Sequence, residues 1–109
     1  MDAKTKKRYK RVRQTLLADL EARGLVEAVY TDKVEEYMEL WENFQNFQKD
    51  LRDRGTMIED EKRGMVENRS ASLACQTSRQ MLAIFTALGF KDVACDQSNR
   101  KAAEEDDDL

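Results

Sequence analysis

TDKVEEYMELWENFQNFQKDLRDR, residues 31–54, is the stretch whose reading decides the fold. At about 100° per residue, Val34, Tyr37, Met38, Leu40, Trp41, Phe44, Phe47 and Leu51 fall on one half of a cylinder. Glu35, Glu39, Glu42, Asn43, Asn46 and Asp50 fill the other half. The spacing predicts an amphipathic helix with an apolar half too wide for one coiled-coil seam. Val34, Met38 and Trp41 run along one edge and Leu40, Phe47 and Leu51 along the other, so the helix needs a neighbour on each side. Asp32 followed by Glu35 has capping-box spacing, and Thr31 or Asp32 is the expected cap. Arg52 and Arg54 suit the negative end of the helix dipole, and Gly55 is the stop.

Outward from this helix, residues 4–23 contain no breaker and predict a first helix with Tyr9, Val12, Leu16 and Leu20 as its stripe. Gly24 ends it, and Leu25 is placed for the apolar contact that accompanies such a cap. On the other side, Thr56, Met57 and Ile58 and then Met65 and Val66 flank a polar turn running from Glu59 to Gly64. This pattern predicts a short β-hairpin, with an extended loop as the alternative, because so small a ribbon holds only when packed on something. A third helix is expected over 70–88, capped by Ser70 or Asn68, with Leu73, Ala74, Thr77, Met81, Ile84, Phe85 and Leu88 as its apolar arc. Leu88, Gly89 and Phe90 close it. Beyond Asp92 the composition turns small, polar and acidic, the signature of a disordered, solvated tail. The expected fold is all-α: a helical hairpin with a third helix. Its organisation is a basic segment over 1–13 that is an arm or the start of the first helix, a helical oligomerisation core over 14–91, and a tail over 92–109.

Composition agrees with one small helical domain. The chain has 109 residues, 38% of them charged, and no proline. A core of this size leaves much apolar surface near solvent. The net charge of -3 conceals a polarity: residues 1–13 sum to +6, residues 14–99 to -6 and residues 100–109 to -3. There is neither a long apolar run nor a secretory signal, so no membrane is expected as a partner and the cytoplasm is the expected compartment. Cys75 and Cys95 are not in a Cys-x-x-Cys pair and read as reduced, small apolar residues. With no histidine, no phosphate-binding glycine loop and no nucleophile elbow, the chain reads as non-enzymatic, with no cofactor and no metal. Glu35, Glu39 and Glu42 share a face and read as solvated surface. Trp41, Phe44 and Phe47 read as core and not as a base-stacking platform, because they lie on the buried arc.

The functional signal is the basic run Lys4, Lys6, Lys7, Arg8, Lys10, Arg11 and Arg13. Closely spaced cations neutralise phosphates and release counterions, which gives a salt-sensitive affinity largely blind to sequence, and duplex DNA is the natural partner. Several copies of such a segment around one axis would bind a polyanion far better than one. The residues expected to build core and oligomer interface are Leu16, Leu20, Val34, Met38, Trp41, Phe44, Phe47 and Leu51.

The order of these features resembles the small subunits of tailed-bacteriophage terminases. ARGLVEAVYTDKVEEYMELW, residues 22–41, is similar to that family's glycine-containing connection followed by a helix bearing tyrosine and tryptophan. LRDRGTM, residues 51–57, resembles the family's entry into a short β-like loop, and SRQMLAIFTALGF, residues 78–90, resembles its last helix ending in Leu-Gly. The chain departs from the family where prolines usually follow the loop asparagine and the Leu-Gly pair: Asn68 precedes Arg69 and Phe90 precedes Lys91. The resemblance implies a non-enzymatic DNA-packaging component of the host cytoplasm, a homo-oligomeric ring that binds double-stranded viral DNA and delivers it to the large subunit, which carries the ATPase and nuclease. Glu104, Glu105, Asp106, Asp107, Asp108 and Leu109 are the candidate contacts to that large subunit. A competing reading seats this acidic tail on a neighbour's basic segment. The alternatives from other classes are a small DNA-binding transcription regulator and a helical protein-binding adaptor. The regulator lacks a short helix-turn-helix, the connection from Gly24 to Thr31 being too long for one.

Overall fold

A computed structural model of the chain describes residues 1–90, and within them the order is helix, helix, β-hairpin, helix. The first helix, α1 (Ala3–Ala22), starts at Asp2, whose carboxylate accepts the Thr5 N–H at 2.8 Å. That cap holds the Asp2 carboxyl below the usual carboxylate range. The basic run is therefore helical from its start and continuous with the packed half of α1. The helix ends in a Schellman motif: Leu25 N–H donates to Leu20 O at 2.8 Å, Gly24 N–H donates to Glu21 O at 3.0 Å, and Gly24 takes φ +76°.

The second helix, α2 (Ala28–Arg54), begins one turn before the expected Thr31 or Asp32 cap. Glu27 stands at the N-cap without a side-chain hydrogen bond, and Thr31 lies inside the helix with its hydroxyl donating to Ala28 O at 3.1 Å. Packing explains the extra turn, since Tyr30 and Leu25 both lie against the core and hold these residues by burial. The connection is accordingly short. It is still not a helix-turn-helix: α1 and α2 run antiparallel over several turns, with Tyr9 beside Trp41 and Arg13 beside Glu35.

Strands β1 (Met57–Asp60) and β2 (Gly64–Glu67) form the predicted antiparallel hairpin, with Met57 opposite Glu67 and Asp60 opposite Gly64. Its base is tied to the helices through Asn68, which is 1% exposed. Asn68 N–H donates to Thr56 O at 2.7 Å, and its Nδ2 donates to Gly55 O and to Asp50 Oδ2, each at 2.9 Å. Asn68 Oδ1 accepts the Ser70 N–H at 3.0 Å, so this residue caps the last helix, α3 (Ser70–Ala87). Asp50 is the hub of the corner. It also accepts from Ser70 Oγ at 2.6 Å and from Arg54 Nε and Nη2 at 2.6 and 2.9 Å.

The core is one cluster of Leu16, Leu20, Val34, Met38, Trp41 and Leu88, with Tyr9, Tyr37, Ile84 and Phe85 against its edges. Phe44, Phe47 and Leu51, expected in the same core, are only half-buried. The reason is geometric: the stripe of α2 that faces α1 runs through Val34, Met38 and Trp41 to Gln45 and Lys49, and Phe44, Phe47 and Leu51 lie off it. On the remaining side, Phe44 and Leu51 face the small residues Ala71, Ala74, Cys75 and Ser78 of α3 across an open groove. At the opposite end Gly89, at φ +79°, lets Phe90 N–H reach Phe85 O at 3.1 Å. A Cβ at Gly89 would lie 2.8 Å from Arg23 Nη1, because Arg23 crosses here from α1 to donate to Leu88 O at 2.9 Å and to cover the Phe90 ring.

Candidate nucleic-acid interface

The basic run occupies the first turns of α1, a length of about 15 Å at 1.5 Å per residue. The helix divides it by role. Lys4, Lys7 and Arg11 lie opposite the stripe of Tyr9, Val12 and Leu16, with Lys6 and Lys10 flanking them, and all five are exposed. Among the described residues none of these five is in an ion pair. They form a cationic ridge on one side of a rigid rod, spaced closely enough for neighbouring phosphates of one strand.

Arg8 and Arg13, read from sequence as part of the same set, are turned towards α2. The Arg8 guanidinium sits 5.6 Å from the Trp41 ring centre, and the Tyr9 ring meets the same indole edge-on at 5.9 Å. Arg13 donates from Nε to Glu35 Oε1 at 2.7 Å, a contact that raises the Arg13 pKa. These two arginines link the ridge to α2 at the surface. Trp41, 6% exposed beneath Tyr9 and Arg8, is structural, and Glu35 is exposed as expected while pairing with Arg13 at the surface.

The fold adds residues that the sequence reading did not place beside the ridge. Lys49 and Arg52 of α2, with Gln45 and Asn46, line a cleft of ≈ 160 Å³ against Met1, Asp2 and Thr5. Their spacing from Val34, Met38 and Trp41 was the signal: the same stripe of α2 continues through Gln45 to Lys49 and Arg52.

Two apolar grooves lie at opposite ends of the α2 and α3 pair. One, of ≈ 350 Å³, is lined by Val29, Tyr30, Lys33, Ala83, Ile84, Ala87 and Leu88. The other, of ≈ 540 Å³, is lined by Phe44, Gln48, Leu51, Ala71, Ala74, Cys75, Ser78 and Arg79. Val29, which lines the first, is 58% exposed, and Val26 and Leu82 are 66% and 61% exposed. Among the described residues no group of three His, Cys, Asp or Glu side chains is placed to hold a metal ion, and no helix is long and apolar enough to cross a membrane. Cys95 and the acidic residues from Glu104 to the end of the chain lie outside the described residues.

The model of one protein family, described as phage terminase, small subunit, matches residues 6–105. The chain belongs to the phage terminase small-subunit family. No curated protein and no solved structure matches it significantly. Membership places this terminase small subunit in phage DNA packaging, and in a family whose members are generally the non-catalytic component of the machine. The match takes in most of the basic ridge, all of α2 and α3 and the intervening hairpin.

Proposed function

We propose that this terminase small subunit assembles into a closed oligomer, presents the α1 ridges of its copies to double-stranded viral DNA, and delivers that DNA to the large subunit without catalysing a reaction itself. The observation that carries the reading is the ridge: five exposed cations on the outer side of α1, outside any ion pair among the described residues, on a helix packed through Tyr9 against Trp41. Phosphate contacts of this kind supply affinity and register, not base recognition. The two apolar grooves support self-association. Because they differ and sit at opposite ends of the α2 and α3 pair, a contact between one groove of a copy and the other end of its neighbour is head-to-tail, the type of contact that closes rings.

Removing residues 1–13 is a poor test, since it would also take Tyr9 and Val12 from the edge of the core. Substitution on the ridge is cleaner. With Lys4, Lys7, Lys10 and Arg11 changed to Gln, duplex affinity measured by anisotropy should lose most of its salt dependence while the helical melt stays in place. For wild type, the logarithm of affinity should fall by about 0.9 per phosphate contact for each tenfold rise in salt. A wild-type protein with no duplex affinity in dilute buffer, or a variant that binds as well as wild type, contradicts the reading.

A further inference from the structure

We infer that Lys49 and Arg52 of α2 form a second phosphate-binding subsite, which extends the DNA contact from the α1 ridge across the cleft at the start of that helix. The inference rests on the reading of α1 as a DNA-binding surface. It begins with one stripe of α2, Val34, Met38, Trp41, Gln45, Lys49 and Arg52, whose steps of three and four keep it turned towards α1. Where α1 covers the stripe, Val34, Met38 and Trp41 are buried. Where the stripe meets the first residues of α1, it changes to an amide and two cations. Of the charged residues in the last turns of α2, Asp50 and Arg54 pair with each other off this stripe, while Lys49 and Arg52 lie on it.

The cleft has the chemistry for a phosphate group. Lys49 and Arg52 are exposed, neither is in an ion pair among the described residues, and Gln45 and Asn46 offer amide donors beside them. Asp2 lines the cleft as an ionised carboxylate that accepts the Thr5 N–H and faces the Lys49 charge, so a phosphate would compete with it there, whereas Asp50 is turned to Arg54, Asn68 and Ser70. Asp53 remains exposed in the same last turn. The cleft, of ≈ 160 Å³, has room for a phosphate group. Lys4 and Lys6 flank Thr5 on α1, so a strand lying on the ridge reaches this cleft without leaving cationic surface. Arg52 also complements the helix dipole, but Lys49 is more than one residue back from that last turn, and the dipole gives no reason for both to face α1.

The test is a titration of the full chain with a random-sequence duplex between about 50 and 200 mM salt, comparing wild type with K49Q/R52Q and with K62Q/R63Q. The second pair makes the same charge change at the hairpin turn. Two lost phosphate contacts should lower the salt slope by about 2 for each protomer on the duplex, so that K49Q/R52Q gives up about tenfold less affinity over that range than wild type. The slope for K62Q/R63Q should match wild type. Equal losses from the two pairs would mean that net charge alone is at work, and would overturn the subsite. An unchanged slope for K49Q/R52Q, with the ridge variant still flattened, would overturn it while leaving the function of α1 standing. Wild type that fails to bind the duplex would sink both.

Discussion

Asn68 and Asp50 show how much of this structure is settled by single side chains. Asn68 satisfies the Gly55 carbonyl, the Ser70 N–H and the Asp50 carboxylate from a position 1% exposed. Asn68→Ala leaves those groups short of partners in a buried corner and should cost about 2 kcal/mol in a denaturant melt. Asp50 gives a pH signature. Its hydrogen bonds from Arg54, then Ser70, then Asn68 hold its carboxyl well below the usual range. A carboxylate depressed in the folded state adds stability that is complete above its unfolded pKa of about 3.9 and is lost as pH falls below that. The acid limb of a stability profile should therefore be shallower in Asp50→Asn than in wild type, and equal limbs would exclude Asp50 as its source. None of this corner was legible in the sequence beyond Asn68 as a candidate cap, because its partners lie 13 to 20 residues away and meet only when the hairpin closes. The glycine stops were legible, because Gly24, Gly55 and Gly89 act on the turn directly before them.

At the scale of elements, α2 is the spine and α1 hangs on it by Trp41. The indole touches Tyr9 and Arg8, the contacts nearest the start of α1, while Leu16 and Leu20 hold its later half. Trp41→Ala should cost about 3–5 kcal/mol, and amide exchange should speed up most in the first half of α1. Even acceleration across all three helices would show that Trp41 supports the core at large and does not hold the ridge in particular. The existence and type of each helix followed from apolar spacing. The division of the basic run did not: Arg8 and Arg13 contact α2 through residues 33 and 22 positions away, a pairing set by the antiparallel register of α1 on α2. The extra turn at the start of α2 was hidden for a similar reason, since Tyr30 earns its place by packing and Glu27 offers no side-chain cap.

For the whole molecule, the balance of buried and open apolar surface is the governing fact. Three helices close over a core of six large residues, while Phe44, Phe47 and Leu51 stay half-open and Val26, Val29 and Leu82 face outward. Self-association that covers such surface would also multiply the α1 ridges on one duplex, raising affinity through effective concentration without any new contact. Val29→Asp/Leu82→Asp changes exposed positions far from the ridge, so it should separate assembly from folding. Sedimentation velocity on wild type and this variant, each mixed with labelled duplex at about micromolar protein and low salt, reads mass and binding together. The account predicts a multi-copy wild-type species that carries the duplex, and a variant that sediments as a folded single chain and leaves the duplex largely free. A single-chain wild type, or a single-chain variant that carries the duplex as tightly as wild type, would contradict it.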